Sequence, residues 1–123
     1  MLFSTHHVAV VGSRSRTDKE YIHKKLDELH SEKPIELIVS GGARGVDLIA
    51  EEWADLNKIP KKIFIPDWDK YGKKAGFLRN IEIVNHADVV YSFWDGESRG
   101  TLSSMNLAKK NNKKLIVDID ERR

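Results

Sequence analysis

The sequence contains no cysteine, which excludes disulfides and thiolate chemistry. No apolar run approaches the roughly 18 residues of a membrane-spanning helix. The opening stretch, MLFSTHHVAVVGS, lacks a charged region followed by a long apolar one, so a cytoplasmic location away from any membrane is expected. Charge of one sign is also scarce. A net charge of +2 is too small for bulk electrostatics to draw in nucleic acid or a membrane surface, which disfavours nucleic acid as a partner. The histidines (His6, His7, His23, His30 and His86) show no ligand spacing, so no protein-built metal site is expected. Both standard phosphate motifs are missing. Without G-x-x-x-x-G-K-[ST] or G-x-G-x-x-G, a P-loop ATPase and a conventional NAD-dependent dehydrogenase are disfavoured.

What is present is 123 residues, 40% of them apolar and 33% charged, as expected for one soluble domain spanning residues 1–123. Five short β-branched runs stand out at residues 7–11, 35–40, 62–65, 88–94 and 114–119. Each is nearly continuous in apolar residues, as strands covered on both faces should be. Helical patterns lie between them. The first covers about 18–30, with a Thr17/Glu20 capping box and Ile22, Leu26 and Leu29 inward. The second covers about 45–57, with Val46, Ile49, Ala50, Trp53 and Leu56 on one stripe. The third covers about 75–87, with Leu78, Ile81 and Val84 inward. The fourth covers about 101–111, with Thr101 as N-cap and Leu102, Met105 and Ala108 or Leu107 inward. Strands alternating with helices imply right-handed crossovers and a mostly parallel sheet. The expectation is a three-layer Rossmann-like α/β fold with strand order 3-2-1-4-5. Ligands in such sheets bind beyond the carboxyl ends of the strands, where the order reverses.

The loops at that edge are GSRSRT (12–17), SGGARGVD (40–47) and WDGESRGT (94–101). Five of the seven arginines (Arg14, Arg16, Arg44, Arg79 and Arg99) lie in them or near the start of the third helix. The other two, Arg122 and Arg123, close the chain. A guanidinium meets phosphate with a planar fork, a helix N-terminus adds free N–H groups, and glycine lets a ligand approach the backbone. Together with the hydroxyls of Ser13, Ser40, Ser98 and Thr101, these features predict an anion pocket.

GSR after the first strand, SGGARGVD-x-x-A-E after the second, AG-x-x-RN (75–80) and FWDG-x-SRGT (93–101) resemble the SLOG superfamily, and within it the small stand-alone YspA-like branch related to YpsA. The resemblance spans residues 10–108. It implies binding of a nucleotide or nucleotide-derived ligand such as ADP-ribose or an NAD derivative, by a sensor or carrier. Gly12, Ser13 and Arg14 match the first ligand loop. Ser40, Gly41, Gly42, Arg44 and Gly45 match the second, with Asp47 just inside the following helix. Asp95, Gly96, Ser98, Gly100 and Thr101 match the third. Arg44 and Arg99, with Arg14, are expected on phosphates, Arg79 and Asn80 on sugar or a further phosphate, and Trp94 as a pocket wall.

Two relatives supply alternatives. LOG enzymes release a base from a nucleoside monophosphate, and Arg79 resembles their helical arginine, which makes it the one catalytic candidate. Ser103 and Ser104 stand where LOG enzymes carry an acidic pair, so the carboxylate that glycosidic cleavage needs is missing there. Glu51 and Glu52 are expected on a solvated helix face. DprA, which binds single-stranded DNA, also carries GSR and an R-N pair. For that reading the chain offers Arg79, Lys73 and Lys74 with Trp68, Tyr71, Phe77 and Trp94. A nucleotide N-glycosidase, a phosphohydrolase and a DNA binder are therefore the alternatives. The resemblance to LOG proteins also implies a homodimer, and a bound diphosphate would admit Mg²⁺.

The longest irregular segment is 66–76. There Trp68 and Tyr71 either stack on a base or pack the loop down, and Asp67 and Asp69 either hold a ribose or face water. Trp53 belongs to the core. KKNNKK (109–114) reads as a solvated helix end, its asparagines suited to a cap.

Overall fold

The computed structural model describes residues 4–120, so Arg122 and Arg123 lie outside it. Five strands, β1 (His6–Gly12), β2 (Ile35–Ser40), β3 (Lys61–Ile63), β4 (Val89–Trp94) and β5 (Lys114–Ile119), form one sheet in the order β3-β2-β1-β4-β5. Every neighbouring pair is parallel. The long helices are α1 (Lys19–Glu32), α2 (Val46–Leu56), α4 (Ala75–Asn85) and α5 (Arg99–Lys110). A short α3 (Trp68–Tyr71) and a 3₁₀ turn at Gly72–Lys74 give structure to the segment expected to be irregular.

Alternation along the central strands builds two cores. Val8 and Val10 of β1 and Phe93 of β4 point to one face, where α1 and α2 bury Ile22, Leu26 and Trp53. Ala9, Val11 and Val90 point to the other, beneath Ile83, Val84 and Ala108 of α4 and α5. Trp53 fills the first core and donates its indole N–H to Asp27 Oδ1 at 2.8 Å. Among the described residues no helix is long and apolar enough to cross a membrane.

Several local expectations are corrected. Leu56 and Leu102 are exposed, and Leu78 and Ile81 are only half-buried. In α4 the adjacent Ile83 and Val84, with Ala75 one end away, face the sheet, so its buried stripe is narrower than the sequence pattern. Strand β3 ends at Ile63 and is mostly exposed, although the Phe64 N–H still reaches Ser40 O at 2.9 Å. As an edge strand it needs no second covering layer, and its two lysines discourage pairing with another chain. Helix α1 has Asp18 at its N-cap with no side-chain cap bond, because that carboxylate is taken by Arg16. Helix α5 is capped by Ser98, whose Oγ accepts the Thr101 N–H at 3.3 Å; Thr101 is three residues inside the cap. At the far end of α5, Asn111 donates to Leu107 O at 2.8 Å and Asn112 takes the left-handed turn at φ 57°.

Candidate functional site

The loops after β1, β2 and β4 meet at the carboxyl edge of the sheet around a cleft of about 510 Å³. Parallel strands send all three loops to one side, and the order reverses between β1 and β4.

The first loop is threaded tightly. A Cβ at Gly12 would stand 2.6 Å from both Phe93 O and Val46 Cγ2, so only glycine fits. Ser13 is buried. Its N–H donates to Phe93 O at 3.1 Å and its Oγ accepts the Asp95 N–H at 3.0 Å, which ties the first loop to the third. Arg14 then projects into the cleft. Arg16 turns the opposite way. It is 3% exposed and pairs with Asp18 at 2.6 Å and Asp118 at 2.8 Å, its guanidinium 5.6 Å from the Phe93 ring. Burial opposes its charge, but the two carboxylates hold it even more firmly protonated than usual. Arg16 is an internal tie and not part of the ligand edge.

The second loop carries its own anion. Asp47, in the first turn of α2, is buried against the loop and accepts the Ala43 N–H on Oδ2 at 3.1 Å. A Cβ on Gly41 would stand 2.6 Å from Arg79 Nη1 and 3.0 Å from Asp47 Oδ2, so these two opposite charges meet over the same face of Gly41, in space that only glycine leaves open. Burial pushes the Asp47 carboxyl up to about 6. The Ala43 N–H and Arg79 pull it back, and Glu51 adds to the rise. Arg79 arrives from α4, donating from Nη1 to Gly41 O at 2.7 Å and from Nε to Asn80 Oδ1 at 3.0 Å. Burial lowers its basicity, and Arg14 adds to that against the attraction of Asp47. Ser40 and Glu51 lie beneath the loop. The Ser40 hydroxyl donates to Glu51 Oε2 at 2.7 Å with both residues buried, so Ser40 is committed inside the fold and Glu51 is not on a solvated face. Glu52 is exposed and pairs with Lys19.

In the third loop, Asp95 folds the turn over itself. Its Oδ1 accepts the N–H groups of Glu97 and Ser98, each at 2.8 Å, and its Oδ2 accepts the Ser15 hydroxyl at 3.0 Å. Burial would raise this carboxyl, but those donors hold it down at about 2. Trp94 donates its indole N–H to Ser98 O at 3.0 Å, bracing the turn.

The cleft thus brings together Gly12, Arg14, Arg44, Asp47, Arg79, Asn80, Asp95, Ser98, Gly100 and Thr101. Ser13, Ser40, Gly41, Gly42, Gly45, Trp94, Gly96 and Arg99 do not line it. Gly42, Gly45 and Gly96 shape their turns at positive φ instead, and Arg99 is exposed beyond the rim. Sequence reasoning missed Val11, Ser15, Ala43, Ile83 and Ser104 as lining residues. Ser104 follows Thr101 by three residues, so helical spacing alone could have found it. Among the described residues, Arg14 and Arg44 make no ion pair, and no group of three or more histidines and carboxylates could cage a metal. A Mg²⁺ accompanying a diphosphate would depend mainly on the diphosphate oxygens.

Residues 6–71 match the model of the YAcAr family, described as the YspA, cpYpsA-related SLOG family. The chain belongs to this SLOG family. A curated relative, the Gene 61 protein of Mycobacterium phage D29, is 42% identical over 111 residues, covering 84% of this chain and 88% of that protein. Two solved structures share the SLOG chain's fold. DNA processing protein A from Helicobacter pylori, whose structure concerns its single-stranded DNA binding mode, superposes with TM-score 0.71 at 29% identity. DNA processing protein A from Streptococcus pneumoniae superposes with TM-score 0.74 at 22% identity, a likeness of fold alone. Each match covers 90% of this chain but only 64% and 49% of those proteins, respectively.

Proposed function

We propose that the cleft binds the phosphate groups of a nucleotide or nucleotide-derived ligand of the ADP-ribose or NAD type, and that the protein acts as a sensor or carrier of it. The observation that carries this reading is the meeting of Arg14, Arg44 and Arg79, from three separate segments, in one cleft beside the first turn of α5. Among the described residues Arg14 and Arg44 make no ion pair, while Arg79 is held by Gly41 O and partly offset by Asp47. Asp95 is occupied by its own turn, and Asp47 is largely turned toward the backbone of its loop. The hydroxyls of Ser15, Ser98, Thr101 and Ser104 line the rest of the cleft and suit ribose or phosphate oxygens. Arg99, outside the cleft, is left to reach only a ligand that extends past the rim.

Thermal-shift titrations with ADP-ribose, NAD⁺, AMP and inorganic phosphate test this, because a ligand of the folded state raises the midpoint by mass action. Arg44→Ala and Arg79→Ala are each expected to weaken a stabilising ligand roughly tenfold or more, the loss of one charge-assisted contact. Unchanged shifts in both variants would remove the assignment.

A second reading is favoured by the likeness to the Helicobacter pylori protein: the bound phosphate belongs to a single DNA strand. Salt-dependent binding of an oligonucleotide, tighter than that of its mononucleotide, separates the two sources.

A further inference from the structure

Outside the cleft, the segment from Ile65 to Phe77 is unlike the rest of the surface. Among the described residues only four aromatic side chains are exposed, and three of them fall here: Trp68 at 55%, Tyr71 at 45% and Phe77 at 51%. Ile65, at 69%, continues the apolar strip. Such a strip exposes area that a protein surface ordinarily hides, at about 25 cal/mol per Å². The loop touches the body of the fold, but its rings stay about half exposed. It is shaped by α3 and the 3₁₀ turn, with Asp67 fixing the start of α3 by accepting the Lys70 N–H at 3.0 Å.

Cations are interleaved with the rings. Lys70 Nζ lies 5.1 Å from the Tyr71 centroid, and Lys73 and Lys74 are exposed in the turn between Tyr71 and Phe77. Asp69 is the one exposed carboxylate among them besides the capping Asp67. The strip packs at two glycines that flank the cleft without lining it. A Cβ on Gly42 would meet Ile65 Cδ1 at 2.8 Å, and one on Gly76 would meet the Trp68 ring at 3.4 Å. Gly76 sits three and four residues before Arg79 and Asn80, on the same side of α4 as those cleft residues.

We propose that this strip is a stacking platform for single-stranded nucleic acid, continuing outward from a phosphate held in the arginine cleft. The inference rests on the cleft reading above and adds the polymer. A protein partner would seat on an apolar centre depleted of lysine. Rings alternating with ammonium groups, beside a cleft of guanidiniums, instead match alternating bases and phosphates.

The test compares dTMP with an oligothymidylate of about 12 nucleotides, using fluorescence anisotropy and competition. The intact protein should bind the oligomer more tightly than dTMP. Trp68→Ala/Tyr71→Ala should weaken the oligomer at least roughly tenfold, from the loss of base stacking, while leaving dTMP affinity unchanged. Arg44→Ala should weaken both. Because Trp68 and Tyr71 are exposed, circular dichroism should show the double variant folded. A second readout is quenching of tryptophan fluorescence by the oligomer, lost in Trp68→Phe while binding persists. If dTMP binds and the oligomer binds no tighter, the platform is refuted and the cleft reading stands. If the double variant loses both ligands equally, the rings are a lid over a small molecule and the platform is again refuted. If neither ligand binds the intact protein while ADP-ribose or inorganic phosphate still stabilises it, the platform is refuted and the cleft reading stands; if none of these binds, both readings fall.

Discussion

Arg14 and Arg16 stand two residues apart in one loop. Nothing in their immediate sequence, R-S-R, marks them for different fates. Arg14 projects unpaired into the cleft, while Arg16 is buried between Asp18 and Asp118 and against the Phe93 ring. The second is what makes the first useful. By pulling the loop inward and joining it to the end of β5, Arg16 fixes where the loop must turn, and Arg14 is what remains facing out. Asp47 and Asp95 form a similar contrast within the cleft. One carboxylate is raised to about 6, led by burial; the other is held at about 2 by its donors, against burial.

The largest expected effect falls on the buried partner. Arg16→Ala should cost about 3 kcal/mol, because it removes the buried guanidinium that Asp18 and Asp118 share; this is the low end for a broken buried pair, since both aspartates keep some solvent and Asp118 keeps the Tyr21 hydroxyl. Thermal unfolding should show a midpoint lower by roughly 10 °C. Arg14→Ala should leave the midpoint of the free protein within about 0.5 kcal/mol of unchanged and weaken the cleft ligand roughly tenfold. If the two variants behaved alike, the contrast would be lost.

The carboxylate pair gives a smaller effect, with opposite signs. The raised Asp47 favours its neutral form in the fold. Its contribution is present below the unfolded value near 4 and is lost as pH rises through about 6. Anion binding beside Arg79 should weaken a few-fold over the same rise. Sulfate is a suitable probe because it does not titrate there, and Asp47→Asn should flatten the profile. The depressed Asp95 contributes stability above its unfolded value near 4 and loses it as pH falls toward about 2, so Asp95→Asn should flatten the acid limb of a stability-versus-pH curve. Smallest of all, Ser15→Ala removes one donor to Asp95 and should cost about 0.5–1 kcal/mol in stability.

Much of the fold was legible in the amino-acid order, and the candidate site less so. Trp53 on the stripe of α2 and the near-continuous apolar β1 and β4 announced their burial, because period and composition are local properties. Leu56 and Leu102 broke the rule for local reasons: Leu56 is the last residue of α2, and Leu102 lies off the buried stripe of Thr101, Ser104, Met105 and Ala108. Arg16, Ser40 and Glu51 were misplaced for a different reason. Each looks like surface or ligand chemistry until its partner is known, and the Arg16 partner Asp118 is 102 residues away.

The sequence by itself determined the alternation of strands and helices, the strand order and the edge where the three loops gather. Those follow from hydrophobic period, chain connectivity and the handedness of crossovers. Only the tertiary structure decided which cations face the cleft. It turned Arg16 inward, left Arg99 outside the rim and brought Arg79 across to Gly41. A loop side chain points wherever distant carboxylates and carbonyls can satisfy it, and those distances exist only once the sheet has formed.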